Sequence, residues 1–177
     1  TVEDLRKISG LFKADIPGST KIHVSFDGNA TKRLFTAQIQ GQLNMPEASS
    51  SRLTPLLGST ISYAAELNFS DKNKVSISNL NLDTVTGKVT GAVSLDLGSQ
   101  ELDSNLRIVV PKLAFLSPVL NRTIDGSLEM DSLITGTLSS PKVSVQANTK
   151  NFVFEQLNLN TLTANIHTEG LPPSIQG

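Results

Sequence analysis

The fold of this chain of 177 residues follows from a stretch that occurs twice, as Leu80-Asn81-Leu82-Asp83-Thr84-Val85-Thr86 and as Leu157-Asn158-Leu159-Asn160-Thr161-Leu162-Thr163. Small or apolar residues continue the likeness on either side, at Val75, Ile77, Leu80, Leu82, Val85, Gly87 and Val89 and at Phe152, Phe154, Leu157, Leu159, Leu162, Ala164 and Ile166. The steps between them are 2, 3, 2, 3, 2 and 2 residues in both copies. Steps of two place side chains on one face of a strand, and a step of three suits a turn or bulge. We therefore expect a β-ribbon that bends twice and keeps one side apolar, used as a structural unit twice at an offset of 77 residues.

The same alternation continues through most of the chain and predicts about ten strands in sequential, mostly antiparallel order. Helical spacing occurs in two short segments, residues 1–12 and 111–123. One further helical turn is predicted near residues 52–58. Pro118 lies inside the second segment, so that helix should be kinked or very short. The chain then reads as one all-β segment, residues 1–177, with sheet portions at residues 20–110 and 124–170.

Composition excludes several classes of function. The net charge is −1 without a run of either sign, which argues against a nucleic-acid partner. There are no cysteines, so neither disulfides nor thiol chemistry is available. No apolar run approaches the roughly 18 residues of a membrane span. The first residues lack both an initiator methionine and a signal-peptide pattern, and we expect the chain to be a segment of a longer protein.

Residues with catalytic or metal-binding chemistry are scattered. His23 and His167 are the only histidines, and both alternate with apolar neighbours, which predicts that they face outward. His23 and Asp27 would point the same way, but no nucleophile accompanies them. No carboxylate cluster completes a metal site. We therefore expect no catalytic residues, no metal, no cofactor and no enzymatic activity.

The remaining feature is the apolar face. From the residues alone, an ordinary core between two packed sheets is the favoured interpretation. Two features weaken it, because aromatic residues make up only 5% of the chain and glycines such as Gly87 and Gly91 interrupt the aliphatic face. Such glycines favour a coiled sheet over flat stacking. An unfilled aliphatic trough would accept acyl chains, at about 0.8 kcal/mol for each buried methylene, but would not recognise headgroups.

Residues 111–159 resemble a known family. They contain a short LAFLSPVL helix with Leu116, Pro118 and Leu120, followed by GSLEMDSLITGTLSSPKVSVQA and an asparagine-rich apolar ribbon. This succession, carried further by Gly126, Leu128, Ile134, Gly136-Thr137-Leu138, Pro141 and Val143, is similar to the TamB family of Gram-negative cell-envelope proteins, which are related to AsmA-like proteins. Residues 60–110 fit in style, and the first 50 residues fit only in composition.

The resemblance implies a fold, a location and partners. The fold would be a β-taco, a curved and mostly antiparallel sheet folded lengthwise around an apolar groove. The location would be the periplasm, in a protein anchored in the inner membrane through parts outside this chain. The partners would be a TamA-type outer-membrane barrel and a cargo, either phospholipid carried between membranes or an unfolded outer-membrane protein client.

We expect the cargo to lie against a groove of twenty residues, namely Val75, Ile77, Leu80, Leu82, Val85, Val89, Val93, Leu95, Leu97, Leu106, Ile108, Val110, Val143, Val145, Phe152, Phe154, Leu157, Leu159, Leu162 and Ile166. The alternative is a structural or adhesive β-solenoid of an exported surface protein, in which residues spaced by five stack inside a closed coil of parallel turns. In either case the first or last strand should be an open edge that favours self-association or strand donation to the barrel partner.

Overall fold

In a computed structural model, the chain forms one open antiparallel sheet of nine strands whose spatial order is the order of the sequence. The structure describes residues 19–29, 31, 33–45, 58–70 and 73–168. The strands are β1 Ser19–Asn29, β2 Leu34–Asn44, β3 Thr60–Phe69, β4 Lys74–Thr84, β5 Lys88–Asp96, β6 Glu101–Val110, β7 Ile124–Thr137, β8 Ser140–Phe154 and β9 Leu157–Thr168. The all-β prediction is confirmed, and the sheet is curved and taco-like.

Strand register collects the alternating apolar residues on one face, because directly opposite residues of an antiparallel pair share a face. One row of partners crosses all nine strands as Phe26, Ala37, Leu67, Ile77, Val93, Ser104, Ile134, Val143 and Thr168. A second crosses them as Ile22, Gly41, Tyr63, Leu82, Val89, Ile108, Met130, Ala147 and Ala164. The strands thus contribute one residue each to rows that run across the whole sheet.

The two copies of the repeated stretch do not form the same unit. In the first copy, the first step of three residues is a bulge in β4, where Asn79 has a φ of 53° and the register shifts. In the second copy, the corresponding step is the turn between β8 and β9, where Glu155 has a φ of 53°. The prediction of one structural unit used twice is therefore wrong, because the same spacing is satisfied by a bulge in one place and a turn in the other.

A short helical segment joins β6 to β7. It consists of a 3-10 turn, Leu113–Leu116, and one α-helical turn, Ser117–Leu120, with Pro118 in the first turn of the helix, where a proline is tolerated. The Ser117 hydroxyl accepts a hydrogen bond from Ile124 N at 3.0 Å and donates one to Ile124 O at 2.9 Å, and Leu113 is buried. The predicted short helix is confirmed here. The helix predicted at 1–12 and the helical turn predicted at 52–58, except for Gly58, lie outside the described residues.

No second sheet packs on the apolar face within the described part of the chain. All nine strands belong to one sheet, and the buried hydrophobic side chains there are Met45, Ile61, Leu113 and Ile124. The favoured interpretation of a core between two sheets is therefore wrong for this part. The closed solenoid is also wrong, because consecutive strands are antiparallel neighbours and not stacked parallel turns.

Tyr63 connects β3 to β1 across β2 on this face. Its ring lies over Gly41, and its hydroxyl is 2.9 Å from Thr20 Oγ1, which donates a hydrogen bond to Gln42 O at 3.1 Å. A Cβ atom at position 41 would be 2.5 Å from Tyr63 Oη and would overlap the backbone oxygen of Lys21. Only glycine therefore lets the tyrosine of β3 reach across β2 to β1.

We expect Gly41→Ala to lower the free energy of unfolding by about 1–3 kcal/mol, because neither the tyrosine ring nor the backbone oxygen can move freely. Urea unfolding followed by circular dichroism measures the change. Gly98→Ala is the control, since a Cβ there meets a single side-chain atom, Asp96 Oδ1, at 3.2 Å and no backbone atom. Its effect should stay within about 0.5 kcal/mol. Equal effects of the two substitutions would show that Tyr63 does not depend on Gly41.

Candidate apolar trough

The central part of the apolar face is an extended apolar surface. It consists of the two nine-strand rows and the row between them, which contains Val24, Ile39, Ala65, Leu80, Gly91, Leu106, Ser132, Val145 and Ile166. We call these three rows the apolar trough. Eight strand spacings of ~4.8 Å give it a length of about 38 Å. Two flanking rows extend the same face, one through Val75, Leu95 and Leu102 and one through Val110, Leu128, Thr149 and Leu162.

The structure brings most of the predicted groove residues together. Half of the predicted set lies in the trough itself, namely Ile77, Leu80, Leu82, Val89, Val93, Leu106, Ile108, Val143, Val145 and Ile166. Four more lie in the flanking rows, namely Val75, Leu95, Val110 and Leu162. The remaining residues of the second copy form cross-strand pairs at the far end of β8 and β9, as Phe152 with Leu159 and Phe154 with Leu157.

Two predicted groove residues lie elsewhere. Val85 is in the turn between β4 and β5 and is 76% exposed, and Leu97 follows the end of β5 and is 57% exposed. Both continue the period-two pattern of β5 in the sequence, but the chain turns at these positions. Thr84 Oγ1 accepts a hydrogen bond from Gly87 N at 3.0 Å, and Asp96 Oδ1 accepts one from Gly98 N at 2.8 Å. These side chain to backbone bonds end the strand on either side.

The predicted set also omits residues that the structure adds to the trough. The first three strands contribute a third of the residues in each row. These include Ile22, Val24, Phe26, Ile39, Tyr63 and Leu67. Met130 and Ile134 join it from β7. The alternation of apolar and polar residues in β1 to β3 was the signal that could have found the first group.

The trough contains no charged side chain, and its polar groups are hydroxyls. These belong to Tyr63, Ser104, Ser132 and Thr168. Ser104 is only 3% exposed, because it lies between Val93 and Ile134 in its row. Hydroxyls spread in this way provide no charged anchor for a headgroup. The surface is therefore uniform enough to contact a hydrocarbon chain at any point along its length.

Gly91 allows a close approach of two strands in the middle of the trough. It has a φ of 153°, and a Cβ there would overlap the backbone oxygen of Asn105. The Asn105 side chain in turn accepts a hydrogen bond from Ala92 N at 3.0 Å. The missing side chain lowers the trough floor between Leu80 and Leu106.

The opposite face of the sheet is polar. One of its rows runs through His23, Gln40, Ala64, Asn81, Thr90, Arg107, Asp131, Gln146 and Asn165. Arg107 pairs with Glu129 at 2.6 Å and with Asp131 at 3.4 Å, and such half-exposed pairs contribute at most about 1 kcal/mol. His23 lies in this polar row, and His167 is on the same face opposite Ser144, as the alternation predicts.

Cavities of about 290, 360, 410 and 490 Å³ are lined mainly by residues of the polar face and also touch trough residues such as Gly91, Leu106 and Tyr63. Their walls carry side chains such as Arg107, Asp131, Lys74 and Glu66. These cavities thus differ in their lining from the trough, whose three rows contain no charged side chain.

Hydrogen bonds on the polar face lower the pKa of Glu66. Its Oε1 accepts hydrogen bonds from Asn68 Nδ2 at 3.1 Å and from Ser78 Oγ at 3.2 Å, and the Asn68 bond has the larger effect on the pKa. Asp96 also has a lowered pKa, since its carboxylate accepts hydrogen bonds from the backbone N–H groups of Ser99 and Gly98. Both carboxylates stabilise structure, one between β3 and β4 and the other in the turn after β5.

The trough is the candidate site because the described residues offer no grouped alternative. Within them, no three histidine, cysteine or carboxylate side chains lie together as metal ligands would. None of the helices in that part of the chain has the length and apolar character that a membrane crossing needs. In comparisons with known proteins, no family model, no curated protein and no solved structure matches this chain. The resemblance to the TamB family thus rests on the residues quoted above.

We expect Asn68→Ala to raise the pKa of Glu66 toward that of an ordinary glutamate, because its strongest stabilising hydrogen bond is lost. A carboxylate with a lowered pKa stabilises the fold above its unfolded-state pKa, and this contribution is lost as the pH falls through the folded-state pKa. The variant should therefore lose stability at neutral pH and show a flatter acid limb. Carboxyl-carbon NMR titration measures the shift. Asp96 is the internal control, and a simultaneous shift there would indicate a general loss of structure.

Proposed function

We propose that this chain is a segment of a periplasmic conduit that shields acyl chains or the apolar strands of client proteins. The observation that supports this most is the uncharged trough, which crosses nine strands without a second layer of described residues over it. In keeping with the TamB resemblance, the full protein would be anchored in the inner membrane. It would act in phospholipid transport between membranes or in outer-membrane protein assembly, with a TamA-type barrel as its partner.

The dimensions of the trough suit a hydrocarbon chain. The apolar core of a bilayer is about 30 Å thick, so the acyl chains of one leaflet extend about 15 Å. The trough is about 38 Å long, so it is longer than a single acyl chain. A chain lying in it can therefore move by several strand spacings without leaving the apolar surface.

Weak and uniform contacts favour movement over storage. A methylene shielded on one side only gains less than the ~0.8 kcal/mol of full burial, and each further step along the trough exchanges one set of aliphatic contacts for a similar set. A charged residue in the trough would fix a headgroup and interrupt this exchange. The function therefore requires no bond-breaking step, and the conduit differs from an enzyme in needing no convergent polar groups.

Acyl chains are the better supported cargo. The trough has few hydroxyl groups. A cargo lying in it contacts side chains only, because the backbone N–H and C=O groups of the strands pair with each other within the sheet. An apolar client strand would also need backbone partners, which only the edge strands could supply. We therefore place lipid in the trough and consider strand clients as cargo of the edges.

We expect Leu95→Lys and Ile108→Lys to abolish co-purification of phospholipid with this chain, because each places a charge on the apolar face. Native mass spectrometry of the chain purified from an envelope fraction measures the bound lipid. Ser94→Lys is the matched control, since Ser94 precedes Leu95 on the polar face and lies opposite Asp103. It should retain lipid at the level of the unchanged chain.

Circular dichroism of all three variants checks that the sheet is retained. Lipid bound equally by the three variants and the unchanged chain would contradict the proposal. A photocrosslinking residue at Leu82, which lies in the trough on β4, should capture lipid, and one at the neighbouring Asn81 on the polar face should not.

A further inference from the structure

The first strand of the sheet has an exposed apolar edge. β1 is one of the two edge strands of the sheet formed by the described residues, and its apolar side chains Ile22, Val24 and Phe26 are 43%, 56% and 69% exposed. Phe26 is held in place by stacking on Phe35, with ring centroids 5.8 Å apart. Natural proteins usually protect such an edge by proline, a bulge or a covering segment. β1 forms an uninterrupted ladder with β2, and its outer residues 21–29 are all exposed.

We propose that β1 pairs antiparallel with β1 of a second copy of this chain, about a twofold axis at Val24. The sequence around Val24 is complementary to itself in this arrangement. Lys21 lies opposite Asp27, Ile22 opposite Phe26, and His23 opposite Ser25. The twofold axis repeats the Lys21–Asp27 pair on its other side, so that the interface contains it twice.

The charged and apolar residues of β1 favour this register over registers shifted by one or two residues. A shift by two positions places Lys21 opposite Ser25 or Asn29, so both Lys21–Asp27 pairs are lost, and in the second case Asp27 lies opposite His23 instead. A shift by one position places Lys21 opposite Phe26 or Gly28. Such a slip puts the apolar side chains of one strand on the same side as the polar side chains of the other. Only the pairing centred on Val24 satisfies both the apolar and the charged positions.

The other edge strand, β9, lacks complementary charges of this kind. β9 contains no lysine, arginine, aspartate or glutamate, so no charge fixes a register there. Pairing of β1 with β9 of another copy would be head-to-tail and would continue into an open chain of copies. The complementary charges within β1 instead favour a closed dimer.

The pairing would join the troughs of the two copies. Opposite residues share a face, so the apolar faces of both sheets lie on the same side, and the middle row continues from Val24 to Val24 of the second copy. This doubles the length of continuous apolar surface. The pairing itself does not rest on the proposed transport function, since it follows from the edge strand alone.

Charge exchange tests the pairing. We expect the 177-residue chain to dimerise with rising concentration in sedimentation velocity at low salt. Lys21→Asp and Asp27→Lys should each raise the dimer dissociation constant about tenfold, since like charges then face each other twice. The double exchange should restore the original constant. An equimolar mixture of the two single variants should also associate, because one copy then carries two acidic and the other two basic positions.

The mixture separates the interface from local effects on folding. Asp27 Oδ1 accepts a hydrogen bond from Gly28 N at 3.0 Å, which Asp27→Lys removes, but this loss is not repaired by mixing. A monomeric chain at high concentration would overturn the proposal. Single variants that dimerise as well as the unchanged chain would also overturn it.

Disulfide formation tests the register. The chain has no cysteine, so Val24→Cys introduces a single thiol that meets its twofold copy. Directly opposite Cα atoms are about 4.5–5.5 Å apart, within the range of a disulfide, whereas the diagonal contact made by Ser25→Cys is about 7–8 Å. We expect oxidation to cross-link the first variant and not the second. Equal cross-linking of both would overturn the register, and cross-linking only through a cysteine at Ala164 of β9 would overturn the choice of edge.

Discussion

The structure depends on the rule that directly opposite residues of antiparallel strands share a face. Eight consecutive ladders must keep this register for apolar residues to meet in rows across nine strands. A slip of one residue in any ladder would turn the apolar side chains of the following strand to the polar face. Asn79 and Asn151 show how the register is kept where spacing changes, since both adopt a positive φ, of 53° and 51°, beside interruptions of the ladders. Asparagine tolerates this conformation better than most residues.

A single layer must stabilise itself without a thick core. Its free energy comes from backbone ladders and from contacts between side chains of neighbouring strands, which contribute roughly 0.2–1 kcal/mol for each pair. Side chains that reach beyond the adjacent strand therefore have particular value. Tyr63 does so by crossing Gly41 to Thr20. The helical connection before β7 adds one buried side chain, Leu113. Most other apolar residues remain half-buried, which keeps the face available.

The alternation of apolar and polar residues predicts the strands, their antiparallel order and most of the trough, because a period of two places alternate side chains on one face of a strand. It could not show whether a step of three residues forms a bulge or a turn. That choice depends on the partner strand: Ile77 and Leu80 both face β5, whereas the chain reverses between Phe154 and Leu157. Val85 and Leu97 were misplaced for the same reason, since the side chain to backbone bonds that end β5 leave no trace in hydrophobic periodicity. The usual requirement to cover an apolar face predicts a second layer, and local sequence does not encode whether one exists.

The size of the uncovered face bears on what this sheet can be for. Together with the flanking rows it has a footprint on the order of 1,000 Å², of which the half-buried side chains of the central strands leave a part exposed to solvent. A surface of this kind is costly in water unless something occupies it. An occupant with one fixed position would favour a shaped pocket with convergent polar groups, and the trough has neither. Its aliphatic rows repeat with little change from β4 to β8, so the free energy of a bound hydrocarbon varies little with position. Mobile apolar cargo satisfies both constraints, because it covers the face and is not trapped at any point along it.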